Sequence, residues 1–238
     1  MQEALIEQHI SEKFNKELRE LRNQVLRMGG LVEEQLANAI TALTSLDEKL
    51  AKEVYSNDYK INSLEVEIDE ECTRILALRQ PTARDLRLVM AVVKTIPDLE
   101  RIGDQAERIA QMTLQIPSDR GTKHFLAIRH LGEHVQKMLY NALDAFARLD
   151  IETALQVMHQ ESKVDQECDT IARQLMTYMM EDPRTIPIIL NIMWSTRALE
   201  RVAAHSRNIC EYLIYFVKGK DVRHISLEQA EVQARQAR

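Results

Sequence analysis

Hydrophobic residues recur at helical spacing along most of the chain. Downstream of Asp47, one apolar face is formed by four residues at positions i, i+3, i+7 and i+14: Ile61, Leu64, Ile68 and Ile75. This spacing predicts an amphipathic helix, and Asp47 is a suitable N-cap because its carboxylate can accept hydrogen bonds from the free amides of the first turn. Asp150 occupies the corresponding place before a similar segment. One such helix is therefore predicted in each half of the chain.

The two halves of the chain repeat one another. Residues 28–47, MGGLVEEQLANAITALTSLD, correspond to residues 131–150, LGEHVQKMLYNALDAFARLD, at an offset of 103. Further along, LERIGDQAERI at 99–109 returns as LERVAAHSRNI at 199–209, at an offset of 100. Self-similarity at a fixed offset indicates a repeated structural unit. We interpret the chain as a tandem duplication.

Prolines and capping residues divide each copy into three helices. Pro81 interrupts the first copy, and Thr82 followed by Asp85 resembles a capping box for the next helix. In the second copy, Asp182 and Pro183 are suited to the N-cap and the first helical position. The breaks fall at equivalent places in the two copies, which supports the same three-helix plan for both.

The predicted fold is all-α, with a tandem repeat of two antiparallel three-helix bundles and six long helices. Short connections between long helices favour antiparallel packing. Pro97 lies inside the third helix, where its counterpart is Arg197, so it is expected to kink the helix and not to end it. The chain is expected to divide into a first bundle, a second bundle and a polar C-terminal tail, at residues 1–116, 117–220 and 221–238, with the bundles joined near 116–124.

Composition supports this fold and removes several functional classes. The 238 residues are 45% hydrophobic and 29% charged, with 6 glycines and 5 prolines, which is typical of long helices with few turns. The net charge of −6 argues against nucleic-acid binding, which needs a basic surface. The polar N-terminus lacks a secretion signal, and the apolar stretches are too short to cross a bilayer. Three cysteines without C-x-x-C spacing are expected to be buried and reduced, as in a cytoplasmic protein.

Acidic side chains mark two neighbouring helix faces in the first copy. On the third helix, positions 89, 93, 96, 100, 104 and 107 share a face that begins apolar and ends with Glu100, Asp104 and Glu107. On the second helix, a polar stripe lies beside the apolar one and contains four residues: Asp58, Asn62, Glu65 and Asp69. Like charges at this spacing repel one another, so another group must offset them.

Two explanations for the acidic faces remain open. Carboxylates from adjacent helices suit a hard cation that prefers oxygen ligands, such as Mg²⁺, Mn²⁺ or iron. Alternatively the acids form salt bridges, for example Asp104 with Arg108 four residues later, with Arg87 and Arg101 as further partners. The spacing alone is consistent with either arrangement.

Signatures of common enzymes are not found. A ferritin-like di-iron oxidase needs glutamate three residues before histidine, and none of the seven histidines has it. The sequence contains no P-loop, dinucleotide-binding fingerprint or nucleophile elbow. A metalloenzyme would also need an acid or base beside the cation, and none is evident apart from the acidic residues themselves. We therefore predict a non-catalytic protein, with a metalloenzyme as the competing hypothesis.

Several motifs together resemble one protein family. LERIGDQAERIA, its degenerate second copy, RQPTARDLRLVM and QLMTYMMEDPRTI, set in a duplicated three-helix frame, are similar to the PhoU family of accessory and regulatory proteins of bacterial phosphate-specific transport. The resemblance covers most of the chain. It implies a cytoplasmic helical protein, commonly a homodimer, that binds metal through E-x-x-x-D motifs.

The resemblance also implies a function and partners. Family members link the ATPase subunit of the phosphate ABC transporter to the sensor histidine kinase of the phosphate regulon. They repress the regulon and restrain uptake when phosphate is plentiful. A member is expected to reach the inner membrane peripherally, through these protein partners and without inserting into it.

The resemblance further implies two clusters for a divalent or transition metal such as Mg, Mn, Fe or Zn. The ligands of the first would be four carboxylates: Glu65, Asp69, Glu100 and Asp104. For the second cluster, the matching positions hold three acids: Glu161, Asp165 and Glu200. Cys168 and Ala172 replace the counterparts of Glu65 and Asp69, and Ala204 replaces that of Asp104. We therefore expect metal to be held firmly in the first bundle and weakly or not at all in the second.

Overall fold

The computed structural model describes residues 12–117 and 125–236. The predicted junction near 116–124 lies mostly outside these residues, as do 1–11. The described chain is helical without strands, which confirms the all-α prediction. Its α-helices are α1 (Glu12–Ser45), α2 (Glu48–Asn57), α3 (Tyr59–Arg79), α4 (Ala83–Leu114), α5 (Leu126–Arg148), α6 (Ile151–Glu181), α7 (Ile186–Lys218) and α8 (Leu227–Arg235).

Local capping signals begin the second helix of each repeat. Asp47 Oδ1 accepts hydrogen bonds from the amides of Lys49 and Leu50, both at 3.0 Å. Asp150 caps α6 in the same way. Thr82 precedes α4 as predicted, but its side chain makes no capping hydrogen bond, so the predicted capping box does not form. The two aspartates therefore act as the sequence indicated, and the threonine does not.

The second helix of the first repeat differs from the prediction because it is divided at Asp58 into α2 and α3. Asp58 keeps right-handed helical angles, but the amide of Ile61 bonds to its carbonyl at 2.9 Å, which tightens the turn. The counterpart helix α6 runs unbroken past Glu161. The division sets Asp58 at a bend of the backbone, where its side chain is directed inward and is 7% exposed.

Two elements in the second half of the chain also differ from the predicted three-helix repeat and polar tail. Asp182 caps a short 3₁₀ turn, Pro183–Thr185, that precedes α7. The segment expected to be a polar tail contains α8, which begins at the Ser226 capping box. Ala230 and Ala234 of α8 are buried, and Arg235 forms a salt bridge to Glu152 of α6.

The two repeats share one hydrophobic core. Helix α4 of the first repeat packs extensively against α7 of the second, and α1 packs against α5. Gly29 and Gly132 allow the second contact: an added Cβ would lie 2.8 Å from Cδ2 of Leu143 or 2.7 Å from Cγ2 of Ile40, respectively. Both pairs are related by the 103-residue offset, so the repeats are related by approximate two-fold symmetry.

One end of the α4–α7 contact is closed by polar groups around a buried aspartate. Asp98 is 2% exposed, and its Oδ1 is bonded to Nδ1 of His205 at 2.6 Å and to Nδ2 of Asn208 at 3.1 Å. Lys94 Nζ lies 4.7 Å from the centre of the Tyr215 ring. Pro97 lies within α4 beside this contact, as predicted. The contact fixes α4 and α7 at the end we call the Asp98 pole, formed by Asp98, His205 and Asn208.

Two predictions based on composition can be compared with the fold. Cys72, Cys168 and Cys210 are buried and form no disulfide, as expected. Among the described residues, no helix is both long enough and apolar enough to cross a membrane.

Candidate metal centre

The bend between α2 and α3 places Asp58 against two other helices. Its Oδ1 accepts a hydrogen bond from Nε2 of Gln35 on α1 at 2.9 Å. Its Oδ2 accepts one from Nδ2 of Asn62, one turn along α3, at 3.0 Å. Both donors are neutral amides, so they orient the carboxylate without cancelling its charge. Each oxygen has a further lone pair for another ligand.

Gly103 allows α4 to approach this bend closely. A Cβ at position 103 would lie 3.1 Å from Cδ1 of Ile61 and 3.4 Å from Oδ1 of Asp58. A methyl group at position 103 would therefore force Ile61 or Asp58 to shift slightly, and the glycine leaves room for the present packing. The second repeat has Ala203 at this position, next to Ala204, so it lacks both the glycine and the aspartate.

Three carboxylates converge where α4 meets the bend. Asp104 and Glu107 are one turn apart on α4, and each offers an oxygen within 4.8 Å of the others and of one from Asp58. Among residues 12–117 and 125–236, no other group of three potential ligands meets this distance. We call Asp58, Asp104 and Glu107 the carboxylate trio. Its spacing and its oxygen donors suit a hard divalent cation.

The negative charge around the trio is poorly compensated. Burial, followed by repulsion from Asp104, Glu65 and Asp58, raises the pKa of Glu100 to about 6. Burial is also the main cause of the raised pKa values of Glu65, Asp104 and Glu107, with neighbouring carboxylates adding to it. Arg101 is exposed, and its charge opposes the rise in the pKa values of Glu65, Glu100 and Asp104 without cancelling it. A bound cation would favour the ionised forms.

The salt-bridge explanation does not account for these acids. Arg108 does not bond to Asp104 and instead lies over the Trp194 ring, 5.6 Å from its centre. Arg87 donates to the carbonyl of Phe216 at 3.2 Å. In the described part of the chain, no salt bridge is formed by the six acids of these faces: Asp58, Glu65, Asp69, Glu100, Asp104 and Glu107. The first repeat therefore fits a cation better than it fits internal ion pairing.

The four carboxylates predicted for the first cluster are not all equally placed. Asp104 belongs to the carboxylate trio. Glu65 and Glu100 are not part of it, but both are close enough to Asp104 for their charges to repel. Asp69 is exposed and interacts with Glu65. Asp58 and Glu107 lie on the two acidic faces identified in the sequence but were not among the predicted ligands. The missing signal was the contact from α1, which orients Asp58.

The second-repeat acids are already paired with arginines. Glu161 Oε2 lies 2.5 Å from Nη1 of Arg207, whose Nε is 3.1 Å from Glu211 Oε1. Glu200 Oε2 lies 2.5 Å from Nη1 of Arg197. The guanidinium groups supply the positive charge that a cation would otherwise bring. Weak or absent metal binding in the second repeat therefore stays the expectation.

Asp165 is the third acid predicted for the second cluster, and it forms no salt bridge to an arginine in the described structure. Partial burial raises its pKa, and the nearby charges of Glu200 and Asp169 add to the effect. Glu161, Asp165 and Glu200 all line one cavity between the repeats, of about 540 Å³. The structure therefore brings the three predicted residues together, but around a space shared with arginines.

Comparisons with known proteins agree with the fold and its duplication. The PhoU domain profile matches residues 25–113 and 128–213, one match in each repeat. The phosphate-specific transport system accessory protein PhoU of Serratia marcescens is 49% identical over 231 residues, covering 97% of this chain and 95% of the relative.

Two solved structures have the same fold. The crystal structure of PhoU from Pseudomonas aeruginosa superimposes with a TM-score of 0.84 at 49% identity, covering 87% of this chain and all of that one. The phosphate transport system regulatory protein PhoU from Streptococcus pneumoniae has a TM-score of 0.82 at 31% identity, covering 88% of this chain and 99% of that one.

Proposed function

The chain belongs to the PhoU family, and from this we propose that it is an accessory protein of phosphate-specific transport that binds a divalent cation in its first repeat. Relatives of nearly equal length are named as accessory or regulatory proteins of that transport system. The coverage of both chains supports carrying the role over as a whole. The proposed role is non-catalytic.

The observation that carries the cation proposal is the carboxylate trio. Asp58, Asp104 and Glu107 bring oxygens within 4.8 Å of one another, and neutral amides hold Asp58 in place. Mg²⁺ or Mn²⁺ would suit this oxygen set better than a thiolate-preferring metal. The family resemblance also allowed iron and zinc, so all four metals belong in the first binding experiment.

The proposed mechanism is that of an adaptor. The protein would contact the ATPase subunit of the phosphate ABC transporter and the sensor histidine kinase of the phosphate regulon. It would favour the silent state of the kinase when phosphate is plentiful by binding that state more tightly. A cation bridging α4 to the α2–α3 bend would fix these helices relative to each other, because the trio draws its ligands from both.

Metal stoichiometry tests the cation proposal. We expect purified wild-type protein to retain Mn²⁺ or Mg²⁺ after gel filtration, measured by elemental analysis, and the Asp58→Asn/Asp104→Asn variant to lose it. The matched control is Glu161→Gln/Glu200→Gln in the second repeat, which should keep wild-type stoichiometry. Equal loss of metal from both variants would refute a site confined to the first repeat.

Gene deletion tests the regulatory role. Removal of the gene should derepress phosphate-starvation genes in phosphate-rich medium, and removal of the kinase as well should restore the silent state. Complementation with the wild type should restore repression, and complementation with Asp58→Asn/Asp104→Asn should show whether the cation contributes. Normal repression in a clean deletion strain that has no second copy of the family would refute the proposal.

Membrane recruitment, dimerisation and the absence of catalysis can each be tested directly. Recruitment to the inner membrane should depend on protein partners, so the protein should sediment with transporter-containing membranes and ignore anionic liposomes. A homodimer should appear in sedimentation equilibrium. Metal-loaded protein should not hydrolyse phosphate esters, and clear turnover lost in Glu100→Gln would instead support the metalloenzyme alternative.

A further inference from the structure

Arg207 stands at a position of the second repeat that a carboxylate occupies in the first. The three positions of the carboxylate trio have counterparts at the offsets of 103 and 100: Glu161, Ala204 and Arg207. The first of these keeps its acid and the second loses it. The third, which corresponds to Glu107, carries a positive charge instead of a negative one.

The guanidinium of Arg207 joins α6 to α7. Its Nη1 lies 2.5 Å from Oε2 of Glu161 on α6, and its Nε lies 3.1 Å from Oε1 of Glu211 on α7. The side chains of Arg207, Glu161 and Glu211 are 30%, 19% and 7% exposed. Removing one partner from an ion pair that is largely shielded from water leaves an uncompensated charge, so this contact is stronger than a surface salt bridge.

Glu211 has no acidic counterpart in the first repeat. Its equivalent there is Gln111, which is neutral. Burial raises the pKa of Glu211, and the charge of Arg207 opposes that rise. The second repeat therefore differs from the first both by an arginine and by a buried acid that contacts it, and these two differences form one ion pair.

A guanidinium held between two carboxylates meets the same electrostatic need as a bound cation. In the first repeat, the acids of the α2–α3 bend and of α4 repel one another, and a cation would relieve that repulsion. In the second repeat, the positive charge is a side chain of α7. Arginine stays protonated at neutral pH, so this charge is present at every cation concentration.

We propose that Arg207 is a built-in substitute for the cation, which holds α6 to α7 whether or not a divalent cation is present. Cation binding then affects the first repeat alone. The second repeat gives α4 an unchanging surface on α7 to pack against. The part played by the first repeat rests on the proposed function, whereas the part played by Arg207 can be tested without it.

The test uses the full-length Asp58→Asn/Asp104→Asn protein, in which the first-repeat cation site is removed. Adding Arg207→Gln leaves Glu161 and Glu211 without their positive partner, so stability should fall and should recover on addition of Mn²⁺. At millimolar Mn²⁺, the urea midpoint followed by circular dichroism should rise by about 1 M. The parent protein, which retains Arg207, should show no such rise. An equal shift in both proteins, or no shift in either, would overturn the proposal.

Two further variants of the same parent identify the cause of the recovery. Arg207→Lys keeps a positive charge beside the acids and should give no Mn²⁺-dependent shift, although lysine lacks the planar fork of donors. Arg207→Gln combined with Glu161→Gln and Glu211→Gln removes the acids and should also give none. A full shift in either variant would show that Mn²⁺ acts elsewhere and would contradict the proposal.

The same measurement decides the question if Arg207→Gln is unfolded without a cation. Recovery of the helical signal on addition of Mn²⁺ would support the substitution of one positive group for another. Absence of recovery, while Arg207→Lys remains folded, would overturn it.

Hydrogen exchange in the wild-type protein separates this proposal from the cation site of the first repeat. With Mn²⁺, amides of α3 and α4 beside the carboxylate trio should exchange about tenfold more slowly, and those of α6 and α7 around Arg207 should be unchanged. Equal protection of both repeats would overturn the proposal. Protection of neither would refute the cation site of the first repeat, while the response of Arg207→Gln to Mn²⁺ decides the role of Arg207 by itself.

Discussion

Neutralising Glu100 should stabilise the metal-free protein. In the folded state its pKa rises from an ordinary value of 4.5 to about 6, because burial and the charges of Asp104 and Glu65 disfavour the carboxylate. That difference corresponds to about 2 kcal/mol of unfavourable free energy when Glu100 is ionised. Because the side chain is only partly buried, solvent screening reduces the expected gain from Glu100→Gln to about 1 kcal/mol.

The sign of this effect depends on pH. The folded pKa of Glu100 lies above the unfolded one, so the folded state binds more protons between these values, and its free energy of unfolding falls as pH rises from 4.5 to about 6. Glutamine does not titrate. The stabilising effect of Glu100→Gln should therefore be complete above the upper value and should disappear below the lower one.

Urea unfolding followed by circular dichroism, with a chelator present, measures this effect at both ends of the pH range. The matched control is Glu200→Gln, because Glu200 lies 2.5 Å from Arg197 and gains from its charge. This partly exposed salt bridge contributes up to about 1 kcal/mol, so its loss should lower stability near neutral pH. A stability gain in both variants, or a gain in Glu100→Gln that persists at acid pH, would refute the assignment of uncompensated charge to the first repeat.

Five other substitutions test the packing between and within the repeats, each by denaturant unfolding. Gly132→Ala should destabilise the fold by about 1–3 kcal/mol because the added methyl would lie 2.7 Å from an isoleucine of α1. Gly30→Ala, where no atom lies within 4 Å of the added methyl, should instead stabilise α1 by about 0.5–1 kcal/mol, and the reverse order would contradict the described α1–α5 contact. Asp98→Ala should cost about 1–3 kcal/mol since it removes the acceptor of two partly buried donors of α7, and a neutral result would show that this pole does not hold the repeats together. Arg207→Gln should cost about 2–4 kcal/mol because it removes the salt-bridge partner of Glu211, a buried carboxylate. Adding Glu211→Gln in the same chain should recover part of the lost stability, and absence of recovery would exclude charge as the cause.

The sequence predicted those features of the fold that depend on neighbouring residues. Apolar periodicity located the long helices, and Asp47 and Asp150 cap them as their side-chain chemistry indicated. The bend at Asp58 was not predicted, and the partner that holds its side chain there, Gln35, lies on another helix. Helix α8 was also missed, since its buried face consists only of alanines and gives little hydrophobic signal, although Ser226 and Gln229 carry a capping box.

The candidate site shows the same division between local and tertiary information. Asp104 and Glu107 are visible as neighbours because they lie one helical turn apart. Their association with Asp58 depends on how α4 meets the α2–α3 bend and on the close approach that Gly103 permits. In the second repeat, the arginine partners of Glu161 and Glu200 depend on side-chain positions that no spacing rule specifies.

The pairing of α4 with α7 also has a consequence for what duplication makes possible. In a symmetric dimer of single repeats, one gene would encode both ends of this contact, so any acid that closed one end would close the other. Joining the repeats in one polypeptide removes that constraint, because positions 98 and 198 can mutate independently. Asp98 can then join α4 to α7 at one end while Ala198 lines a cavity at the other, an asymmetry that identical subunits related by a two-fold axis cannot encode.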